Sequence, residues 1–77
     1  MTPDQRRTLT EAVTKAELLA IDIRETMGRL WFQLDAGSND VDVMLKIEAE
    51  ARTERAQLDV QLGIVRDLLL VAGGTGE

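Results

Sequence analysis

Five carboxylates near the middle of the chain come closest to a catalytic or metal-binding set: Asp22, Glu25, Glu48, Glu50 and Glu54. In helical bundles, carboxylates that project inward from facing helices hold pairs of metal ions, together with Glu-x-x-His pairs. This chain contains no histidine, and helical spacing directs Asp22 and Glu25 away from the apolar residues of their segment. We therefore interpret the five carboxylates as a solvated acidic face, with no metal.

Nucleophilic catalysis has equally little support in the sequence. The chain has no cysteine, so a thiolate nucleophile, a thiolate metal site and a disulfide framework are all excluded. Its threonines and its one serine, Ser38, have no histidine to act as the activating base. We expect no enzymatic activity and no cofactor.

Charge and hydropathy restrict the classes of partner. The net charge is −5, whereas proteins that bind nucleic acids or anionic membranes present basic surfaces. No apolar run approaches the roughly 20 residues of a membrane span, and the N-terminal stretch MTPDQRRTLTEAV has no signal-peptide hydrophobic region. We expect a cytoplasmic protein of one small domain, covering residues 1–77, that binds neither nucleic acid nor membrane.

A long helix is predicted for residues 3–35. Thr2 is a suitable N-cap, Pro3 suits the first helical position, and Gln5 completes a capping box with Thr2. Apolar residues then recur in alternating steps of four and three, which is the heptad pattern of a helix–helix seam. The predicted seam consists of Leu9, Val13, Ala16, Ala20, Ile23, Met27, Leu30 and Leu34.

A turn is predicted at residues 36–40 and a second helix at 41–72. Gly37 is suited to a left-handed C-cap, and Ser38, Asn39 or Asp40 can cap the helix that follows. Because the connection is short, the second helix must run antiparallel to the first, and residues 73–77 are expected to form a flexible tail. The predicted seam of this helix consists of Met44, Ile47, Ala51, Leu58, Leu62, Val65 and Leu69. The fold class is therefore all-α, a two-helix antiparallel hairpin with coiled-coil character.

The two helices carry more apolar surface than one shared seam can bury. Helical spacing places seven apolar residues away from the seam, where exposure to water would forgo about 1.5–3 kcal/mol each. We expect a partner or a second copy of the chain to cover them and to complete a larger bundle. These candidate partner-binding residues are Leu18, Ile21 and Phe32 in the first helix and Val60, Ile64, Leu68 and Val71 in the second.

The last twenty residues of the second helix resemble those of a known family. Arg55-Ala56, Leu62-Gly63-Ile64-Val65, the run from Leu68 to Val71 and Ala72-Gly73 follow a Gly-containing turn in a small, acidic, cysteine-free chain. This pattern is similar to that of the E-component co-chaperones of type III secretion needle subunits, the YscE family. A more remote resemblance, to the WxG hairpins of type VII secretion, depends on Trp31 alone, since Phe32 and Gln33 follow it.

The YscE-family resemblance implies a specific, non-catalytic function. Members of that family bind a tetratricopeptide-like helical chaperone, and the two together keep the needle subunit soluble and unpolymerised in the cytoplasm until export. Transferred to this chain, the candidate partner-binding residues would contact the chaperone. The alternative from the residues alone is a self-assembling structural or scaffold hairpin, such as a homodimeric four-helix bundle in a virion or a regulatory complex.

Overall fold

A computed structural model of the protein describes residues 1–74. Within that range the chain forms two long helices, α1 (Pro3–Asp35) and α2 (Val41–Gly74), and no strand. The helices pack against each other along their length as an antiparallel pair, and the Cα atoms span 57 × 14 × 14 Å. The predicted all-α hairpin is confirmed.

The predicted start of α1 is confirmed in detail. Thr2 is the N-cap, and its hydroxyl accepts a hydrogen bond from the backbone N–H of Gln5 at 3.1 Å. The Gln5 side-chain oxygen accepts one in return from the backbone N–H of Thr2 at 2.9 Å. Pro3 is the first residue of α1, where a backbone N–H would have no hydrogen-bond partner within the helix.

The turn between the helices closes as the residue types predict. Gly37 has a φ of 72°, in the left-handed region that glycine adopts without strain. The N–H of Ser38 donates to the Gln33 carbonyl at 2.9 Å, and the N–H of Gly37 donates to the Leu34 carbonyl at 3.1 Å, as in a Schellman motif. An Asp40 carboxylate oxygen then accepts from the N–H of Val43, which caps the start of α2.

The C-terminal end of α2 differs from the prediction. The helix continues through Gly73 and Gly74, two residues beyond the predicted limit at residue 72. Residues 75–77 of the predicted tail lie outside the described residues.

The seam between the helices is rotated relative to the prediction. In α1, the side chains shielded from solvent include Ala12, Leu19, Thr26 and Gln33, each one residue before a predicted seam position. In α2, Gln61 and Leu68 are partly shielded from solvent in place of the predicted seam residues Leu62 and Leu69. The heptad positions that define the observed seam are Leu9, Ala12, Ala16, Leu19, Ile23, Thr26, Leu30 and Gln33 in α1, and Met44, Ile47, Ala51, Glu54, Leu58, Gln61, Val65, Leu68 and Ala72 in α2.

Two interhelical polar contacts show why the rotated seam is favourable. The Thr26 hydroxyl, in a residue that is 4% exposed, donates to a Glu54 carboxylate oxygen at 2.6 Å. One turn further along α1, the Arg29 guanidinium pairs with the Glu50 carboxylate. The rotation therefore satisfies a buried hydroxyl and an ion pair, whereas the predicted seam would direct Met27 inward instead.

The interior of the hairpin is small. Among the described residues, only three apolar side chains are buried (Ala12, Ala16 and Ile47), and two of them are alanines. Sixteen large apolar side chains in the same range are exposed. Neither helix, as described, is long and apolar enough to cross a membrane.

Candidate functional site

One flank of the hairpin is an apolar groove to which both helices contribute. Val13 and Ala20 of α1 line it together with Leu58, Leu62 and Val65 of α2. Positions seven residues apart lie on the same side of a helix in a coiled coil, so the flank extends along the hairpin in both directions. We call it the Leu62 face and define it by Val13, Ala20, Met27 and Leu34 of α1, and by Val41, Glu48, Arg55, Leu62 and Leu69 of α2.

The opposite flank is polar near the middle of the hairpin and apolar toward the chain ends. Near the middle of the hairpin it is lined by charged and polar side chains, among them Glu25, Arg29, Thr53 and Gln57. Seven residues further along α2, Val60 and Ile64 occupy the positions that correspond to Thr53 and Gln57. We call this flank the Ile64 face and define it by Leu18, Glu25, Arg29 and Phe32 of α1, and by Val43, Glu50, Thr53, Gln57, Val60, Ile64 and Val71 of α2.

Five of the seven candidate partner-binding residues lie on the Ile64 face. Leu18, Phe32, Val60, Ile64 and Val71 are all exposed in the hairpin. The hydrogen bonds from Thr26 to Glu54 and from Arg29 to Glu50 fix the antiparallel register. That register places Leu18 level with the segment between Val60 and Ile64. The sequence predicted a separate stripe on each helix, and the structure brings the residues of both stripes to the same flank.

Ile21 and Leu68 are the two exceptions. Ile21 lies on the outer surface of α1, where it is exposed and belongs to neither flank. Leu68 occupies a heptad position of the observed seam and is partly shielded from solvent. The rotation of the seam by one residue at this level turns Leu68 toward α1, and its contact with a partner stays a prediction.

The residues that sequence reasoning missed form the Leu62 face. Val13, Met27, Leu34, Leu62 and Leu69 were all predicted to lie in the seam, yet each is at least 40% exposed. The signal in the sequence was the width of the apolar stripe. A two-stranded seam needs two apolar positions per heptad, whereas helices that face a larger bundle carry three.

Trp31 and Phe32 diverge to the two flanks. Phe32 lines a groove on the Ile64 face together with Val43 and Ile47. Trp31 lies fourteen residues, or four turns, after Glu17, which lines the Leu62 groove, so it stands at the edge of the Leu62 face. Both rings are more than 65% exposed, so neither closes the end of a core within the hairpin itself.

Three of the five central carboxylates have a partner within the hairpin, and Glu54 is the one that accepts from the Thr26 hydroxyl. Glu48 pairs with Arg52 and Glu50 with Arg29, and Asp59, further along α2, pairs with Arg55. These groups are largely exposed, and such pairs stabilise a fold by about 0–1 kcal/mol each. Among the described residues, no group of three or more acidic side chains is arranged to hold a metal ion.

Comparison with known proteins gives no relative from which a function could be transferred. No family model, no curated protein and no solved structure matches the chain. Its candidate function must therefore be argued from the exposed surfaces themselves.

Proposed function

We propose that this protein is a non-enzymatic co-chaperone that acts by burying apolar surface against a helical partner. The observation that carries the proposal is the imbalance of its apolar residues. Three apolar side chains are buried among the described residues, whereas sixteen large ones are exposed. Exposed apolar side chains gathered on one flank of a small protein, as they are toward the chain ends of the Ile64 face, are typical of an interaction site.

The C-terminal end of α2 supports a partner that encloses the helix. Leu69, Leu70 and Val71 are consecutive and all exposed. Successive residues are about 100° apart around a helix, so these three side chains point to the Leu62 face, the outer surface and the Ile64 face, respectively. A flat surface can cover only one of these directions, whereas the concave surface of a helical-repeat protein can cover two or three.

The resemblance to the YscE family suggests the identity of that partner. We infer a tetratricopeptide-like chaperone that docks on the Ile64 face and, through it, a needle subunit of type III secretion kept soluble before export. The acidic chain would contribute shape and apolar area to such a complex, with no catalytic step. Leu18, Val60, Ile64 and Val71 are the residues expected to be buried by the chaperone, with Ile21 and Phe32 at its margins.

Co-expression with a tetratricopeptide chaperone from the same genome tests the proposal. A complex with one chaperone per hairpin should elute from a size-exclusion column, and Ile64→Asp should abolish it while the far-UV circular dichroism of the hairpin is retained. Ala49→Asp, an equally drastic change at an exposed position beside the polar middle of the hairpin, is the matched control and should leave the complex intact. If Ala49→Asp and Ile64→Asp weaken the complex equally, the apolar part of the Ile64 face is not the docking surface.

A self-assembling structural hairpin is the second candidate function. It is favoured by the Leu62 face, which both helices supply and which has the width expected of a bundle interface. In that case the purified chain should form a stable oligomer and should not be recovered with any tetratricopeptide chaperone.

A further inference from the structure

The α2 edge of the Leu62 face is complementary in charge to a second copy of itself that runs in the opposite direction. Along the α2 edge, the residues at intervals of seven are Val41, Glu48, Arg55 and Leu62. An apolar residue stands at each end of this set, and between them is a pair of opposite charges. Read in the opposite direction, the order is again apolar, charged, charged, apolar, with each acid replaced by a base.

We infer that the Leu62 face binds a second copy of this chain across a two-fold axis, with the two turns at opposite ends. In that arrangement α2 lies antiparallel to α2 of the second copy. Glu48 then faces Arg55 of the second copy, and Val41 faces its Leu62. The two-fold axis repeats each contact, as it must in an isologous interface.

Charge distinguishes this arrangement from the other way of stacking two hairpins. With both turns at the same end, α2 would lie against α1 of the second copy. Arg24 stands at the edge of the Leu62 face, seven residues after Glu17 of its groove. The register set by the Thr26–Glu54 and Arg29–Glu50 contacts places Arg24 level with Arg55, so two guanidinium groups would then meet. Only the arrangement with opposed turns pairs unlike charges at the centre of the face.

The register of the charged residues sets the overlap of the two copies. Because Val41 faces Leu62 at both ends, residues 41–62 of each α2 lie against each other over about 32 Å. The inference does not depend on the proposed co-chaperone function, because the chaperone would use the opposite flank.

A charge-reversal pair tests the contact between Glu48 and Arg55. Glu48→Arg alone places two arginines against each other at both symmetry-related positions, and Arg55→Glu alone does the same with two glutamates. Each variant should therefore dimerise about tenfold more weakly than the natural chain. When the two variants are mixed, both positions regain opposite charges, so a heterodimer should form in preference to either homodimer.

Sedimentation equilibrium and native mass spectrometry give the readout. The natural chain should sediment at twice its mass of 8.5 kDa. A tag on one variant should identify the heterodimer in the mixture, and its preference over the homodimers should weaken as salt is raised. The intrachain pairs of Glu48 with Arg52 and of Arg55 with Asp59 are lost equally in the separate and mixed samples, so they cannot produce the preference.

A cross-linking experiment tests the position of the axis. Met27 lies level with the midpoint between Glu48 and Arg55, so it should face its own counterpart in the second copy. Met27→Cys should give a covalent dimer with a short bis-maleimide reagent. Ile21→Cys, similarly exposed but on the outer surface of α1, should not.

Four results would overturn the inference. The first is a natural chain that stays monomeric at hundreds of micromolar, and the second is a mixture of the charge variants without preference for the heterodimer. The third is an Ile21→Cys variant that cross-links as readily as Met27→Cys. The fourth is a dimer that Ile64→Asp disrupts and the charge reversals do not affect, which would place the interface on the Ile64 face. Failure of chaperone binding would leave all of these measurements unaffected.

Discussion

Replacing Thr26 with valine tests whether the seam of the hairpin is rotated as the structure shows. Thr26 is buried, and its hydroxyl donates to the Glu54 carboxylate at 2.6 Å. A hydrogen bond to a charged group contributes about 1.5–3 kcal/mol, and the methyl group gained by valine returns about 0.8 kcal/mol through burial. Because Glu54 is only partly shielded and can regain water, we expect Thr26→Val to lower the free energy of unfolding by about 1 kcal/mol.

Removal of the Glu54 carboxylate should lower the free energy of unfolding less than removal of the Thr26 hydroxyl. In Glu54→Leu the carboxylate is gone, but the Thr26 hydroxyl can turn to a carbonyl of its own helix. Thr8, Thr10 and Thr14 of α1 already donate in this way to the carbonyl four residues earlier. The double variant Thr26→Val with Glu54→Leu leaves no unpaired polar group and should be at least as stable as the natural chain.

Urea unfolding followed by circular dichroism at 222 nm measures all four proteins of this double-mutant cycle. They should be compared at one protein concentration, since any association contributes to the apparent stability. We expect a coupling energy of about 1 kcal/mol between the two sites. If Thr26→Val is neutral and Met27→Glu unfolds the hairpin, then Met27 lies inside the seam and the rotated seam is refuted.

Three further changes test other parts of the structure. Leu68→Asp should disrupt the hairpin and lower the helical circular dichroism, whereas Leu69→Asp, one residue later and exposed, should leave it nearly unchanged. Equal losses would contradict the rotated seam. Gly37→Ala should cost about 1 kcal/mol in urea unfolding, because Gly37 has a positive φ; Gly28→Ala, in mid-helix with open space around its Cβ position, is the control and should be neutral or stabilising. Thr2→Ala should cost about 0.5–2 kcal/mol through loss of the capping box, and a melting temperature unchanged by Thr2→Ala would show that the first turn adds nothing.

The sequence was sufficient to predict the hairpin because its local signals agree with one another. The capping box at Thr2 and Gln5 and the left-handed position at Gly37 are confirmed. The first residue of α2 is also confirmed, because Asp40 caps it. Each of these signals depends on residues within a few positions of one another, so no knowledge of the tertiary structure is needed to recognise it.

The orientation of the helices about their own axes could not be predicted in the same way. The apolar stripe of α1 is three positions wide per heptad, and periodicity alone does not say which two of the three face α2. The choice is made by contacts between residues distant in the chain, such as Thr26 with Glu54. This one ambiguity caused every error in the predicted seam, and it also concealed the Leu62 face.

The run Leu68-Leu69-Leu70-Val71 shows how the two surfaces and the seam fit together in one segment. With about 100° between neighbours, its side chains point in turn to the seam, the Leu62 face, the outer surface and the Ile64 face. A helix that is apolar on all sides is stable only where it is surrounded by other protein. Within the hairpin, α1 can cover only the direction of Leu68. A second copy that places its Val41 against Leu62 ends before the level of Leu69. The directions of Leu69, Leu70 and Val71 would still face water, so a dimer alone does not account for this sequence. The concave helical-repeat partner that we propose would cover these directions together.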